Sequence, residues 1–159
     1  MKKKIFILIP LFGIVILAFY IYNASLRNAV FLGLPTVPCF DITQAVKQNY
    51  SLTINIKING KIYPLDSSIG HDYGNCLHSI FVNDNSGKVF VKANDLEQYN
   101  LGQFFDVWHK SFSNKQLGEC IASKTEQVSV TVNGKFISVK NVRDILLSPN
   151  ETLSISCDE

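Results

Sequence analysis

A run of eighteen residues without a single charge, residues 5–22 (IFILIPLFGIVILAFYIY), constrains this chain more than any other feature. As a helix it spans about 27 Å at roughly 1.5 Å per residue, close to the hydrocarbon thickness of a bilayer. No polar face interrupts it, which argues against a buried core helix of a soluble domain. Cleavable signal peptides have shorter apolar cores, roughly 7 to 15 residues, and end in a small-x-small site. Cleavage before Ser25 would place Tyr22 where a small residue is needed, so the expectation is an uncleaved signal anchor. Pro10 falls in the first turns, where a lost backbone hydrogen bond costs least. Lys2, Lys3 and Lys4 precede the run and only Arg27 follows closely. The positive-inside rule therefore puts the N-terminus in the cytoplasm, the rest of the chain outside, and Tyr20 and Tyr22 at the outer interface. The expected organisation is a cytoplasmic tail (1–4), a transmembrane anchor (5–22), a juxtamembrane stalk (23–38) punctuated by Gly33, Pro35 and Pro38, and an extracytoplasmic domain (39–159).

Outside the anchor the chain has the polarity of a soluble domain, long enough for one hydrophobic core. Net charge is +2, and the three N-terminal lysines account for enough of it to leave the outer part near −1. Nucleic-acid binding needs a basic surface that displaces counterions, so that class is set aside. The expected partners are the membrane and an unidentified protein at its surface.

All four cysteines, Cys39, Cys76, Cys120 and Cys157, lie in the outer part. An even count in an exported domain of this size implies two disulfides. Spacing alone does not choose among the three pairings. Cys39 with Cys76 and Cys120 with Cys157 is favoured, the second pair pinning the last strand against fraying. No Cys-x-x-Cys occurs, and spacings of 37, 44 and 37 residues are unlike a zinc ribbon.

Residues 41–48 are expected to form a short helix. Then Leu52, Ile54, Ile56 and Ile58 alternate with Thr53, Asn55 and Lys57, a half-buried strand. Asn59-Gly60 is a two-residue hairpin turn, with Ile62 on the return strand and Pro64 at its end. The unit recurs 74 residues on, where Val128, Val130 and Val132 lead into Asn133-Gly134-Lys135 and FISV. Between them, Ile80 with Val82 and Val89 with Val91 flank the turn Asp84-Asn85-Ser86-Gly87. Leu101, Phe104, Phe105, Trp108 and Phe112 fall on one helical stripe after a candidate N-cap, Asn100. A last strand covers 152–156. The expected class is α+β: a mainly antiparallel sheet with one packed amphipathic helix. The ending, a hairpin followed by LLSPNETLSIS, resembles β-grasp domains.

Chemistry-bearing residues are few. His71 and His78 flank Cys76 with Asp72 nearby, in GHDYGNCLH, the most metal-like cluster in the chain. Its spacing matches no standard ligand motif. His109 lies one residue off the apolar stripe and reads as a surface group. No Gly-x-Ser-x-Gly elbow and no phosphate-cradling glycine loop occurs. Two acceptor triplets for N-glycosylation, at Asn49 and Asn150, lie clear of the anchor, whereas Asn23 is too close to the bilayer.

Several stretches carry a resemblance: the strand ending in INGK, IGHDYGNCLHSIFVNDNSGKVFVKA, LGQFFDVWHKSF and VTVNGK. From Cys39 to about Ile155 the chain resembles an uncharacterised family of exported archaeal and bacterial domains, most specifically at residues 101–108. The resemblance implies a histidine-rich site, in which a His-x-His precedes the first hairpin and Leu-His-Thr-His-Asp-like and Ile-His-Val-Glu-like stretches follow. This chain departs there. Asn49 and Ser51 stand at the first pair, residues 80–84 replace the second stretch except for Asp84, and residues 89–92 replace the third. The resemblance thus implies the scaffold, a lost or altered metal chemistry, and pairing of Cys39 with Cys76.

The function expected is that of a single-pass, surface-anchored binding or structural domain without catalysis or cofactor. The alternative is an extracytoplasmic metal-binding protein, taking zinc or copper through His71, Asp72, His78 and Asp84. A third reading is a thiol enzyme pairing Cys76 with His78 or His71.

Overall fold

The computed structural model describes residues 37–72, 76–123 and 126–159. The expected tail, the expected anchor and nearly all of the expected stalk lie outside the described residues. Among the described residues no helix is long and apolar enough to cross a membrane. The folded unit begins before Cys39, because Val37 is only 2% exposed and joins the core.

The organising element is strand β1 (Gln48–Ile58), whose alternation buries Leu52, Ile54 and Ile56 on one face. Asn59 and Gly60 both take positive φ, as a tight Asn-Gly hairpin requires, and return the chain as β2 (Lys61–Tyr63) along one end of β1. After two short strands, β3 (His71–Asp72) and β4 (Cys76–Leu77), the hairpin β5 (Ile80–Val82) and β6 (Lys88–Ala93) adds to the same edge of β1, beyond β2. The turn residues Asp84 to Gly87 join these strands as expected.

Helix α1 (Leu101–Val107) follows, starting where Asn100 accepts from the Gln103 N–H at 2.9 Å and Gln103 Oε1 accepts from the Asn100 N–H at 2.9 Å. This reciprocal capping box satisfies two otherwise unpaired N–H groups. The helix is shorter than the apolar stripe suggests. Trp108 caps it, His109 turns left-handed at φ 55°, and Phe112 falls on the next strand. A three-stranded meander comes next: β7 (Phe112–Ser113), β8 (Gln116–Leu117) and β9 (Cys120–Ile121). The second Asn-Gly hairpin pairs β10 (Ser129–Val132) with β11 (Lys135–Phe136), a shorter return than FISV suggested. Strand β12 (Thr152–Cys157) closes the chain.

The main sheet runs β11-β10-β12-β1-β6-β5, with β2 also on β1. Pairing is antiparallel except at the centre, where β1 and β12 run parallel with Ile56 opposite Ile155. Leu153, Ile155 and Cys157 join the β1 side chains beneath α1, whose Leu101, Phe104 and Phe105 are fully buried. The α+β class therefore stands. No helix forms over 41–48: Asp41 closes a turn on Thr43, Asn94 bonds both the N–H and the carbonyl of Asp41, and Gln48 already belongs to β1. Both cysteine pairs are joined as expected, Cys39–Cys76 with Cα atoms 5.3 Å apart and Cys120–Cys157 at 6.3 Å.

Candidate functional site

Two features stand out, a histidine–carboxylate–sulfur cluster at one sheet edge and an aromatic cleft. The cluster is built by a short antiparallel bridge. Phe40 donates to the Leu77 carbonyl at 2.7 Å and Ser79 to the Pro38 carbonyl at 3.0 Å, laying residues 38–40 beside residues 77–79. Gly70 brings the preceding loop over β5. Its φ is +82°, and a Cβ there would lie 2.4 Å from the Ile80 carbonyl oxygen, so only glycine fits. The Gly70 carbonyl accepts from the His78 N–H at 2.8 Å, placing β3 and Asp72 against His78.

His78 is 5% exposed, and both its ring nitrogens are engaged. Nδ1 lies 2.8 Å from the Val37 carbonyl oxygen, which fixes a proton on that nitrogen. Nε2 lies 2.8 Å from Asp72 Oδ2 and 3.7 Å from Cys76 Sγ. The Nε2–Oδ2 contact is of hydrogen-bond length, too short to hold a metal ion between the two atoms. His109 Nε2 approaches the other Asp72 oxygen at 3.9 Å. Cys39 Sγ, Cys76 Sγ and His78 Nε2 lie within 4.8 Å of one another, the one such grouping of ligating atoms among the described residues.

Of the four expected ligands, the fold joins Asp72 and His78 and directs the other two elsewhere. His71 Nε2 lies 3.1 Å from the Val82 carbonyl oxygen, its ring edge-on to Phe81. Asp84 is exposed and closes its own turn. Hydrogen bonds from the Ser86 hydroxyl and then the Ser86 N–H hold its carboxyl below the usual range. While the sulfurs are joined, one imidazole and one carboxylate fall short of the three or four ligands that hold zinc. The sulfur share of the cluster and the approach of His109 were missed in the sequence. The first was hidden because Cys76 was set beside the histidines only as a catalytic thiol and Cys39 only as its staple, the second because it depends on where the helix ends. Asn49 and Asn150 are both exposed.

The second feature is a cleft of about 550 Å³ between the β1–β2 hairpin, the end of α1 and β8. Ile56, Ile58 and Leu117 line it with Tyr63 and Trp108, whose rings are 6.0 Å apart. Lys61, Lys110, Glu119 and Glu159 add charges of both signs. Its volume falls in the range of small-molecule sites. Asn-Gly-Lys marked the hairpin in the sequence, but nothing marked its packing against Trp108.

Comparison with protein-family models, with curated proteins and with solved structures gives no match, so the functional reading rests on the geometry of these two features.

Proposed function

We propose that the chain is a single-pass, membrane-anchored extracytoplasmic domain that binds a small ligand without catalysis, on a β-grasp-like scaffold carrying an extra β5–β6 hairpin. The aromatic cleft carries this reading, because it presents the chain's single tryptophan in a concavity of ligand size. A lining of apolar residues, an aromatic pair and charges of both signs suits an aromatic zwitterion, such as an aromatic amino acid or a short peptide containing one. Two disulfides support the oxidising compartment. The β-grasp reading is supported by two hairpins flanking a central parallel pair of first and last strands, with the apolar residues of the helix in the same core.

Titration of the full chain with phenylalanylglycine, read by Trp108 emission, tests the binding site. The expected result is a saturable, one-per-chain change that Tyr63→Ala weakens at least tenfold. An unchanged or non-saturating signal would sink it. Carbonate extraction of membranes, with protease added to intact cells, tests topology. Release from the membrane, or a domain shielded from protease, would remove the anchor from the proposal.

A further inference from the structure

We propose that Cys39, Cys76 and His78 form a zinc site, with Asp72 beside it, that the Cys39–Cys76 disulfide closes and a dithiol reductant opens. This site is separate from the aromatic cleft and does not depend on ligand binding there. Three observations carry it. Cys39 is an exposed residue and Cys76 is half-buried, whereas Cys120 and Cys157 are both buried, so a reductant has its approach at the first pair. The two chain segments are held together by the Phe40–Leu77 and Ser79–Pro38 backbone hydrogen bonds, so the sulfurs stay adjacent once their bond is broken. Finally, His78 already has the second-shell arrangement of a ligating histidine. Its Nδ1–H is committed to the Val37 carbonyl, leaving Nε2 aimed at Cys76 Sγ and Asp72 Oδ2.

The chemistry balances as follows. A thiolate of the dithiol attacks Cys39 Sγ, the Cys39–Cys76 bond breaks, and Cys76 leaves as a thiolate. The second thiol of the reductant then displaces Cys39, so the reductant is oxidised to a disulfide and the protein gains two thiols. Zinc binds the two sulfurs with release of their protons and takes His78 Nε2 as its third ligand, displacing the proton of the His78–Asp72 hydrogen bond to solvent. Asp72 Oδ2 lies 2.8 Å from that nitrogen but outside the grouping of the two sulfurs with the imidazole, so the fourth position is left to water. Two thiolates, an imidazole and a water make a tetrahedral set suited to zinc.

The test uses the full chain, reduced anaerobically with dithiothreitol, freed of reductant and titrated with cobalt(II) as the spectroscopic stand-in for zinc. Thiol labelling and mass spectrometry identify which pair has opened. The expected result is one cobalt per chain with a near-ultraviolet thiolate-to-cobalt charge-transfer band, displaced by zinc and absent from the oxidised protein. Cys39→Ser and His78→Asn each weaken binding at least tenfold. The asparagine amide can still donate to the Val37 carbonyl, so this variant removes the ligating nitrogen while sparing that contact. No cobalt uptake by the reduced chain, undiminished affinity in either variant, or loss of far-ultraviolet circular dichroism on opening Cys39–Cys76 overturns the proposal.

Discussion

At Gly70 a single hydrogen in place of a side chain decides whether the cluster assembles. The backbone sits at φ +82° against the Ile80 carbonyl oxygen and the Phe81 Cα and Cβ. An alanine meets both a disfavoured backbone region and a contact that backbone atoms cannot relieve. Gly70→Ala is expected to destabilise the fold by about 2 kcal/mol or more and to loosen Asp72 from His78. Urea unfolding gives the first, and loss of the downfield His78 ring N–H resonance in NMR the second. An unchanged unfolding midpoint would mean that the loop has room the geometry denies. His109 presents the opposite case. His109 donates its N–H to the Asp106 carbonyl at 3.1 Å and Lys110 to Phe105 at 3.0 Å, a Schellman ending in which His109 holds the place usually taken by glycine. A left-handed conformation costs a residue with a Cβ about 1 to 2 kcal/mol, and the freedom of glycine in the unfolded chain offsets part of any relief. His109→Gly is therefore expected to raise stability by roughly 0.5 to 1 kcal/mol while removing the imidazole facing Asp72. A lower melting temperature would show that the ring contributes more than its backbone strain costs.

Elements with a strong local rule were legible before the fold was known. Period-two alternation identified β1, β5, β6 and β10, and the Asn-Gly pairs fixed two hairpins because both turn positions must take positive φ. The start of α1 was legible at Asn100, but its end was not. The apolar stripe continues to Phe112, which packs on Phe105 at a ring distance of 4.1 Å from a strand rather than from the helix. No glycine or proline marks the stop. The meander β7–β9 escaped because two-residue strands carry no periodicity. Residues 41–48 read as a helix because local propensity outweighed a signal that was also present, an aspartate two residues before a threonine, which makes a turn. The same device recurs at Asp66 on Ser68 and at Asp84 on Ser86. Hydrogen bonds from the following Thr or Ser hold the carboxyls of Asp41, Asp66 and Asp84 below the usual range. Because these values are lowered in the folded state, the stabilisation is present above the unfolded-state value near pH 4 and is lost as pH falls through each folded value. Changing all three to alanine should lower stability at neutral pH and flatten its loss below about pH 4, measured by urea unfolding across pH. An acid limb as steep as that of the parent would remove these turns from the account.

Across the whole molecule, the two disulfides do different work despite closing loops of the same length. Each spans 37 residues in sequence, so chain entropy alone assigns them equal stabilisation, about 4 kcal/mol in the loop-closure model. Their surroundings differ. Cys120 and Cys157 are 2% and 1% exposed and fasten the meander to the central strand β12. Cys39 and Cys76 lie at a sheet edge whose backbone hydrogen bonds do the same holding. Sequence spacing makes the two pairs look alike, and only packing separates them. Cys120→Ala with Cys157→Ala leaves a cavity in the core besides freeing the loop. This pair of changes should therefore cost about 1 to 2 kcal/mol more than Cys39→Ala with Cys76→Ala. Urea midpoints at a shared slope measure the difference directly. Equal losses would mean that loop closure accounts for both bridges. A larger loss at Cys39–Cys76 would mean that the bridge, rather than the backbone beside it, holds the edge of the sheet, and the cluster would not survive reduction.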